Sequence, residues 1–404
     1  MNKIFFINRS FYPDIEATGQ FFTELAESLS KNFDITFICG LSFYVKDKNH
    51  GFKFYRKERL GKIKIIRIRH TLFWKENIFG RIINWLTFSI NSFFILLKIR
   101  PKILICGTDP PILGIISYFL KKLKNMNYIY YCNDLYPDIA IALNTFRNNF
   151  IVNIFEYLNR KALKNSLKII VLGEDMKELV KRKGIKDKKI LVIPNWVDTK
   201  KIVPIDKDKN LFLKKYNFYN KFLIMYSGNI GLPHNLENLI YALEKIRDKD
   251  WTMVFIGDGV KKKEIFKIVK EKNLLDKILF LPYEKKEFLS HSLSAADLHI
   301  VSLKKEAKGA CVPSKIYGIL ASGRPFLSIS HKSSNSSLIA ERYKCGIICE
   351  PDNVEDIKNK IEWAIENKEN LKEMGKRARE IAILIFDKEI VMNKWKKFLE
   401  EISD

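Results

Sequence analysis

The chain is short of acid. Its 404 residues hold 46 Asp and Glu against 71 Lys and Arg, a formal net charge of +25. The deficit is uneven, with 34 cations and 17 anions in residues 1–200 and 37 and 29 in the remainder. A basic half suits a polyphosphate ligand, an anionic bilayer or nucleic acid, or is a lysine-rich solvated surface with no partner. No recognised RNA- or DNA-binding module accompanies the charge, so nucleic acid is not an expected partner. Cysteine is scarce as well. Cys39, Cys106, Cys132, Cys311, Cys345 and Cys349 show no metal-ligand spacing. Several sit in apolar runs such as Ile105-Cys106-Gly107, where a thiol behaves as a small hydrophobe in a reducing cytosol. The stretch 1–7 reads as a first strand rather than a signal peptide, and there is no low-complexity tract. What is present, 47% apolar residues with 18 Gly and 12 Pro, suits two or three α/β domains with real cores.

Strand, loop and helix alternate from the start. Residues 3–7 form a strand, 8–14 a loop, and Thr18-Gly19-Gln20 opens a helix with Phe22, Leu25, Ala26 and Leu29 at helical spacing. That loop and its glycine are a possible phosphate cradle, on one glycine only. Strands follow at 34–39 and 62–68. The segment 77–98 is apolar and long enough to raise the question of a membrane span. Arg81, Asn84, Thr87, Ser89, Asn91 and Ser92 interrupt it, so we expect a helix buried on the sheet, with an interfacial helix as the alternative. Strands at 102–106 and 128–132 come next. The second ends in Asn133-Asp134-Leu135-Tyr136-Pro137-Asp138, which places two carboxylates where open α/β sheets put their sites. Asp138 is also explained as the cap of the next helix; Asp134 is not, and is the better site candidate. Elements at 150–163, 168–171, 174–183 and 189–193 complete a doubly wound domain over residues 1–198.

A charged, Pro-containing linker at 199–210 leads to a second domain, 199–386. Its strand 222–226 runs into Ser227-Gly228-Asn229-Ile230-Gly231-Leu232-Pro233-His234-Asn235, then a helix with Leu236, Leu239, Ile240 and Leu243 inward. The glycines let the backbone approach a ligand, and the helix start favours an anion. Strand 251–256 leads to Gly257-Asp258-Gly259, a loop of the same kind. Strand 297–303, the loop to Pro313-Ser314-Lys315, a helix closed by Gly323 and a strand from Pro325 form a βαβ unit. Lys315 in the first turn and Arg324 past the last supply fixed cations there. Further strands are expected at 277–281 and 346–349 and helices near 355–367 and 369–385. A closing helix at 387–404 carries Ile390, Val391, Trp395, Phe398 and Leu399 on one face. The fold class is α/β: two doubly wound, Rossmann-like parallel-sheet domains facing across a cleft, a usual place for ligands.

The ordered motifs carry a resemblance. Tyr12-Pro13 with Thr18-Gly19, Asp134-Leu135-Tyr136-Pro137, and Ile193-Pro194-Asn195-Trp196-Val197-Asp198 occupy the first half. Tyr226-Ser227-Gly228-Asn229-Ile230-Gly231, Gly257-Asp258-Gly259, and Pro313-Ser314-Lys315 with Ala321-Ser322-Gly323-Arg324-Pro325 occupy the second. The chain resembles family 4 glycosyltransferases of the GT-B fold, in the bacterial branch that builds O-antigen, capsule and colanic-acid-type polysaccharides. The resemblance implies retaining transfer of a hexosyl or N-acetylhexosaminyl unit from a nucleotide sugar, a UDP-sugar favoured, with no cofactor and no metal. It implies a polyprenyl-diphosphate-linked saccharide as acceptor, and a cytoplasmic enzyme peripheral on the anionic inner face of the membrane. It also implies that the closing helix packs back on the first domain.

Site roles follow from the same resemblance. Lys315 would stabilise the leaving diphosphate, with Pro313 and Ser314 beside the donor. Thr18 and Gly19 would approach the phosphates from the first domain. Ser227, Gly228 and Asn229 would line the diphosphate, and Gly257, Asp258 and Gly259 would border the base. His234 would be a second polar contact, and Asp134 would sit near acceptor or donor hydroxyls without being a nucleophile. The chain departs from the family pattern at four positions. The two glutamates common before the Ala-x-Gly fall on Ala310 and Gly318, and the two cations common on the diphosphate fall on Asn229 and His234. Ribose must then be held otherwise, and more weight rests on Lys315. A GT-B-fold sugar-nucleotide epimerase and a non-catalytic scaffold of a polysaccharide-assembly complex are the alternatives. The first would need a paired acid and base that the sequence does not offer.

Overall fold

The computed structural model describes residues 2–42, 54–73, 78–145 and 150–403. Met1, and Asn77 at the head of the long apolar segment, lie outside them. The chain forms two compact units, Met1–Pro194 with Met392–Asp404, and Asn195–Val391.

In the first unit the order is β1 (Lys3–Ile7), α1 (Ala17–Leu29), β2 (Asp34–Gly40), β3 (Tyr55–Leu60), β4 (Ile63–Ile68), α2 (Ile78–Ile99) and β5 (Ile103–Cys106). Then come α3 (Leu113–Lys124), β6 (Asn127–Tyr131), α4 (Asp138–Ala142), α5 (Phe150–Asn165), β7 (Ile169–Val171), α6 (Glu174–Arg182) and β8 (Ile190–Val192). The sheet order is β3-β4-β2-β1-β5-β6-β7-β8. All neighbours are parallel except β3 and β4, which form an antiparallel hairpin. On one face Phe22 of α1 meets Phe6 and Phe37 edge-on, at 6.4 and 5.6 Å between ring centres. Winding runs outward in opposite directions from β1 and β5, so the loops after these two strands diverge and leave a crevice.

Helix α2 corrects the expectation of a buried core helix. Asn84, Ser89 and Ser92 are buried beside Phe88, Ile95 and Leu96, and much of the helix's remaining apolar surface faces out. Asn84 takes both the N–H and the carbonyl of Phe73, Asn91 donates to the Arg69 carbonyl, and Thr87 meets Thr71. On the opposite side Phe79, Ile83, Leu86, Ile90 and Phe94 form an exposed stripe at helical spacing. Helix α3, between α2 and α5, adds exposed Phe119 and Leu123, and α5 adds Phe150, Ile154 and Tyr157.

The second unit runs α7 (Leu211–Tyr216), β9 (Phe222–Ser227), α8 (Glu237–Glu244), β10 (Trp251–Ile256), α9 (Lys262–Glu271), β11 (Ile278–Leu281) and α10 (Leu289–Ala295). It continues with β12 (Leu298–Ser302), α11 (Lys315–Ala321), β13 (Phe326–Ile329), α12 (Asn335–Tyr343), β14 (Gly346–Cys349), α13 (Val354–Glu366), α14 (Lys368–Leu384) and the start of α15 (Lys388–Ser403). Its sheet, in the order β11-β10-β9-β12-β13-β14, is parallel throughout. The apolar runs of β9 and β10 are buried on both faces, as parallel strands covered by helices must be. The segment 199–210 is laced to this unit: Ser290 and Ser294 of α10 bond the backbone at Lys201, Val203 and Ile205. Residues of α15 from Met392 onward group with the first unit, where Trp395 lies edge-on to Tyr131 with ring centres 5.0 Å apart.

Candidate functional site

In the second unit the winding changes direction between β9 and β12, so a site is expected where their carboxyl ends diverge. Lys315 lies there. Its ammonium sits over the ring of Tyr226, 3.2 Å from the centroid. The nitrogen is buried and makes no hydrogen bond with the described residues. A cation–π contact contributes on the order of 2 kcal/mol when desolvated, whereas an unpaired buried charge costs several. Burial therefore pushes the Lys315 ammonium well below its ordinary range. An anion arriving beside it would restore the charged form.

The neighbours leave room for such an anion. Gly228 has φ +133°, and a Cβ there would lie 3.3 Å from Lys315 Cε and 3.5 Å from Nζ. Any larger residue would occupy the space in front of the lysine. Tyr226 supports the site at three points. Its ring carries the lysine, its hydroxyl donates to the Asn229 carbonyl at 2.7 Å, and its edge meets His234 with centres 5.8 Å apart. His234 is buried, and its Nδ1–H donates to the Ser302 carbonyl at 2.6 Å. Burial, then the charge of Lys315, push its imidazole down to about 3. It is thus neutral at physiological pH and offers Nε2 as an acceptor, not a cation.

The loop after β10 braces this cradle. Ile230 N–H donates to the Asp258 carbonyl and Lys261 N–H to the Ile230 carbonyl, at 2.8 and 3.1 Å. Side chains at Gly257 and Gly259 would overlap the carbonyl oxygens of Gly228 and Ile230. Both glycines also have positive φ, +137° and +155°. Their first task is therefore the close approach of two loops. Asp258 is exposed and accepts from the Gly259 N–H at 2.9 Å. Ser227 is half-buried and Asn229 exposed beside Gly228, while Pro313 is buried and Ser314 precedes the short α11 without a side-chain capping bond. Tyr226, Ser227, Gly228, Asn229, His234 and Lys315, with the bracing loop 257–259, thus converge on one place. Arg324 does not join them. It reaches the Ile205 carbonyl at 3.4 Å and lies toward Asp297 and Asp206, at the amino end of β12. At the two positions where the family's glutamates are replaced, Ala310 is fully buried, and a Cβ on Gly318 would meet Leu293 at 3.3 Å and no other described residue within 4 Å.

In the first unit the crevice after β1 and β5 is built from Asn8, Arg9, Ser10 and Asp109. Asp109 receives Arg9 at 3.1 Å and the Ser10 hydroxyl at 2.5 Å, and its N–H donates to Asn8 at 3.1 Å. Asp134 lies near Asp109 after β6. Burial, then the Asp109 charge, raise its carboxyl to about 6. Asp138 is held by Lys183 at 2.7 Å, which gives it a structural role. Gly19 admits the close packing of α1 on its own loop: a Cβ would lie 3.2 Å from Asp14 Cβ and 3.5 Å from the Phe11 N. Thr18 is half-buried in the first turn of α1. Arg9, Ser10, Asp109 and Tyr226 are site residues that the sequence does not single out. Tyr226 lies within the motif Tyr226-Ser227-Gly228-Asn229-Ile230-Gly231, whereas nothing in the sequence signals that Arg9 and Asp109 meet across the switch point.

The architecture is that of GT-B glycosyltransferases. The Glycosyltransferase Family 4 description matches residues 18–201, and Glycosyl transferases group 1 matches residues 208–381. The chain belongs to the glycosyltransferases, with a family 4 domain in its first half and a group 1 domain in its second. It is 24% identical to WcaI of Escherichia coli K12, named as a colanic acid biosynthesis glycosyl transferase, over 97% of this chain and 98% of that one. It is also 24% identical to the glycosyltransferase WbjE of Pseudomonas aeruginosa, over 63% of each chain. Among solved structures, Anabaena HepE in complex with UDP-glucose superposes with a TM-score of 0.74 at 13% identity, covering 99% of this chain and all of that one.

Proposed function

We propose that the protein is a retaining glycosyltransferase that moves a sugar from a nucleotide-sugar donor, a UDP-sugar, to a polyprenyl-diphosphate-linked saccharide in cell-surface polysaccharide synthesis. The observation that carries the reading is the buried, unpartnered ammonium of Lys315 facing the open side of Gly228. The bond from the sugar's anomeric carbon to the diphosphate breaks with oxocarbenium character, and the nucleoside diphosphate leaves as an anion. Lys315 and the N–H groups of the 227–231 loop hold that anion, a task that requires fixed positive charge. The acceptor hydroxyl attacks from the same face, and its proton passes to the departing phosphate. Thr18, Gly19, Ser227, Asn229, His234, Asp258 and Ser314 contact the donor. Asp134, half-ionised near pH 6, orients a sugar hydroxyl. The name of WcaI and the UDP-glucose complex of HepE support the pathway class and the donor class.

The same reading puts the enzyme on the cytoplasmic face of the membrane. The outward stripe of α2, continued by α3 and α5, gives an apolar surface in the unit that carries most of the excess positive charge.

Titration with UDP tests the donor site. Lys315 begins depressed and is restored by the diphosphate, so binding between those two values takes up a proton. Affinity should fall as pH rises through the free-state value. Calorimetry over a series of pH values up to the ordinary lysine range, in buffers of different ionisation enthalpy, should show this uptake in the native protein and none in Lys315→Met. Equal heats in both buffers for the native protein would separate Lys315 from the phosphates.

A further inference from the structure

A second concavity lies on the first unit. It has a volume of about 660 Å³, within the range usual for small-ligand sites. Phe5, Ile66, Ile95 and Ile99 give it an apolar floor, and Lys57, Arg59 and Lys98 stand around it. The strand register explains the composition. Phe5 pairs with Leu104 on one side, Thr36 lies beside it on β2, and Lys64 lies beside Thr36 on β4. Lys57 and Arg59 sit directly across from Ile66 and Lys64, on the same face. This is the sheet face on which α2 packs, left uncovered where α2 ends.

Three of the four cations here are not spent on the described residues of the fold. Lys64 is held by Asp34 at 2.8 Å, and Glu58, the acidic lining residue, by Arg67 at 3.0 Å. Lys57, Arg59 and Lys98 make no ion pair or hydrogen bond with the described residues. The groove also borders the outward stripe of α2, since its lining residue Lys98 lies one turn after Phe94. An apolar floor with free cations at its rim is complementary to an amphiphile with an anionic head.

We propose that this groove binds one anionic phospholipid of the membrane, its acyl chain on the floor and its phosphate among Lys57, Arg59 and Lys98. The inference rests on the reading of α2 as a membrane-facing helix. A bilayer phospholipid fits better than the isoprenyl acceptor, because the groove opens toward the amino ends of β1, β2 and β4. The crevice with Arg9 and Asp109 lies at their carboxyl ends, so a lipid held in the groove would be an anchor rather than a substrate.

Monomeric dihexanoyl phosphatidylglycerol, below its micellar concentration, tests the groove without a bilayer. It should bind saturably, and phosphatidylcholine of the same chain length at least tenfold more weakly. Lys57→Gln with Arg59→Gln should cost phosphatidylglycerol about 30-fold, at roughly 1 kcal/mol for each cation near an anionic head. Both residues are exposed, so melting temperature and UDP binding should be unchanged. Ile90→Ser with Phe94→Ser should abolish flotation on phosphatidylglycerol vesicles while monomeric lipid still binds. Those arms separate failure of the groove from failure of the membrane reading. Equal affinity for the two headgroups, no saturable binding, or farnesyl phosphate competing tenfold more tightly than phosphatidylglycerol would each overturn the proposal.

Discussion

Lys315→Met is expected to lower turnover of the nucleotide-sugar donor by about two to three orders of magnitude, the usual cost of removing one fixed stabiliser of a developing anion. The substitution should not unfold the protein. Methionine has a similar length, keeps a favourable contact with the Tyr226 ring, and removes a buried cation that has no partner. Replacing such a charge with an apolar group of similar volume is often neutral or stabilising. The predicted signature is therefore a fall in kcat with an unchanged or higher melting temperature. A structural lysine would give the opposite, namely intact turnover and a less stable protein.

Gly257→Ala should be the most damaging small substitution in the second unit. The residue has φ +137°, and the added carbon would overlap the Gly228 carbonyl oxygen, a backbone atom with no easy escape. Left-handed strain and the forced shift together predict a loss of about 2–4 kcal/mol. Because Gly228 is the atom pair displaced, UDP affinity should fall with stability. Gly61→Ala is the control. Gly61 also has positive φ, +55°, but open space around its missing side chain, so only strain of about 1 kcal/mol is expected. Urea unfolding of the two variants side by side separates them. Equal losses would mean that the approach of loops 228–231 and 257–259 does not matter.

The contrast between legible and illegible features has physical causes. The parallel core strands were legible because a strand covered on both faces must be nearly continuously apolar, as 253–256 is. The glycine loops were legible because a positive φ or a backbone contact leaves a glycine in the sequence. Strand β3 was not, since Tyr55-Arg56-Lys57-Glu58-Arg59-Leu60 lies at a sheet edge and has no apolar run. The orientation of α2 was misread for a related reason. Polar residues that interrupt an apolar helix do not tell which side faces the sheet, and here Asn84, Thr87 and Asn91 lie inside, where they bond the backbone and side chains of residues 69–73. Arg324 and Lys315 lie nine positions apart and looked like two cations for one ligand; the intervening helix carries them to different ends of β12. His234 was read as a polar contact, and its burial beside Lys315 leaves it a neutral acceptor.

The donor site is tested most directly by a metal-free melting panel of UDP, GDP, ADP and dTDP with the native chain and Lys315→Met. A ligand bound only by the folded state raises the melting temperature by mass action. UDP should raise that of the native protein by several degrees, the other nucleotides should do less, and Lys315→Met should lose most of the UDP shift. Native protein that melts at one temperature with every nucleotide would contradict the assignment of the Lys315 cradle as a donor site.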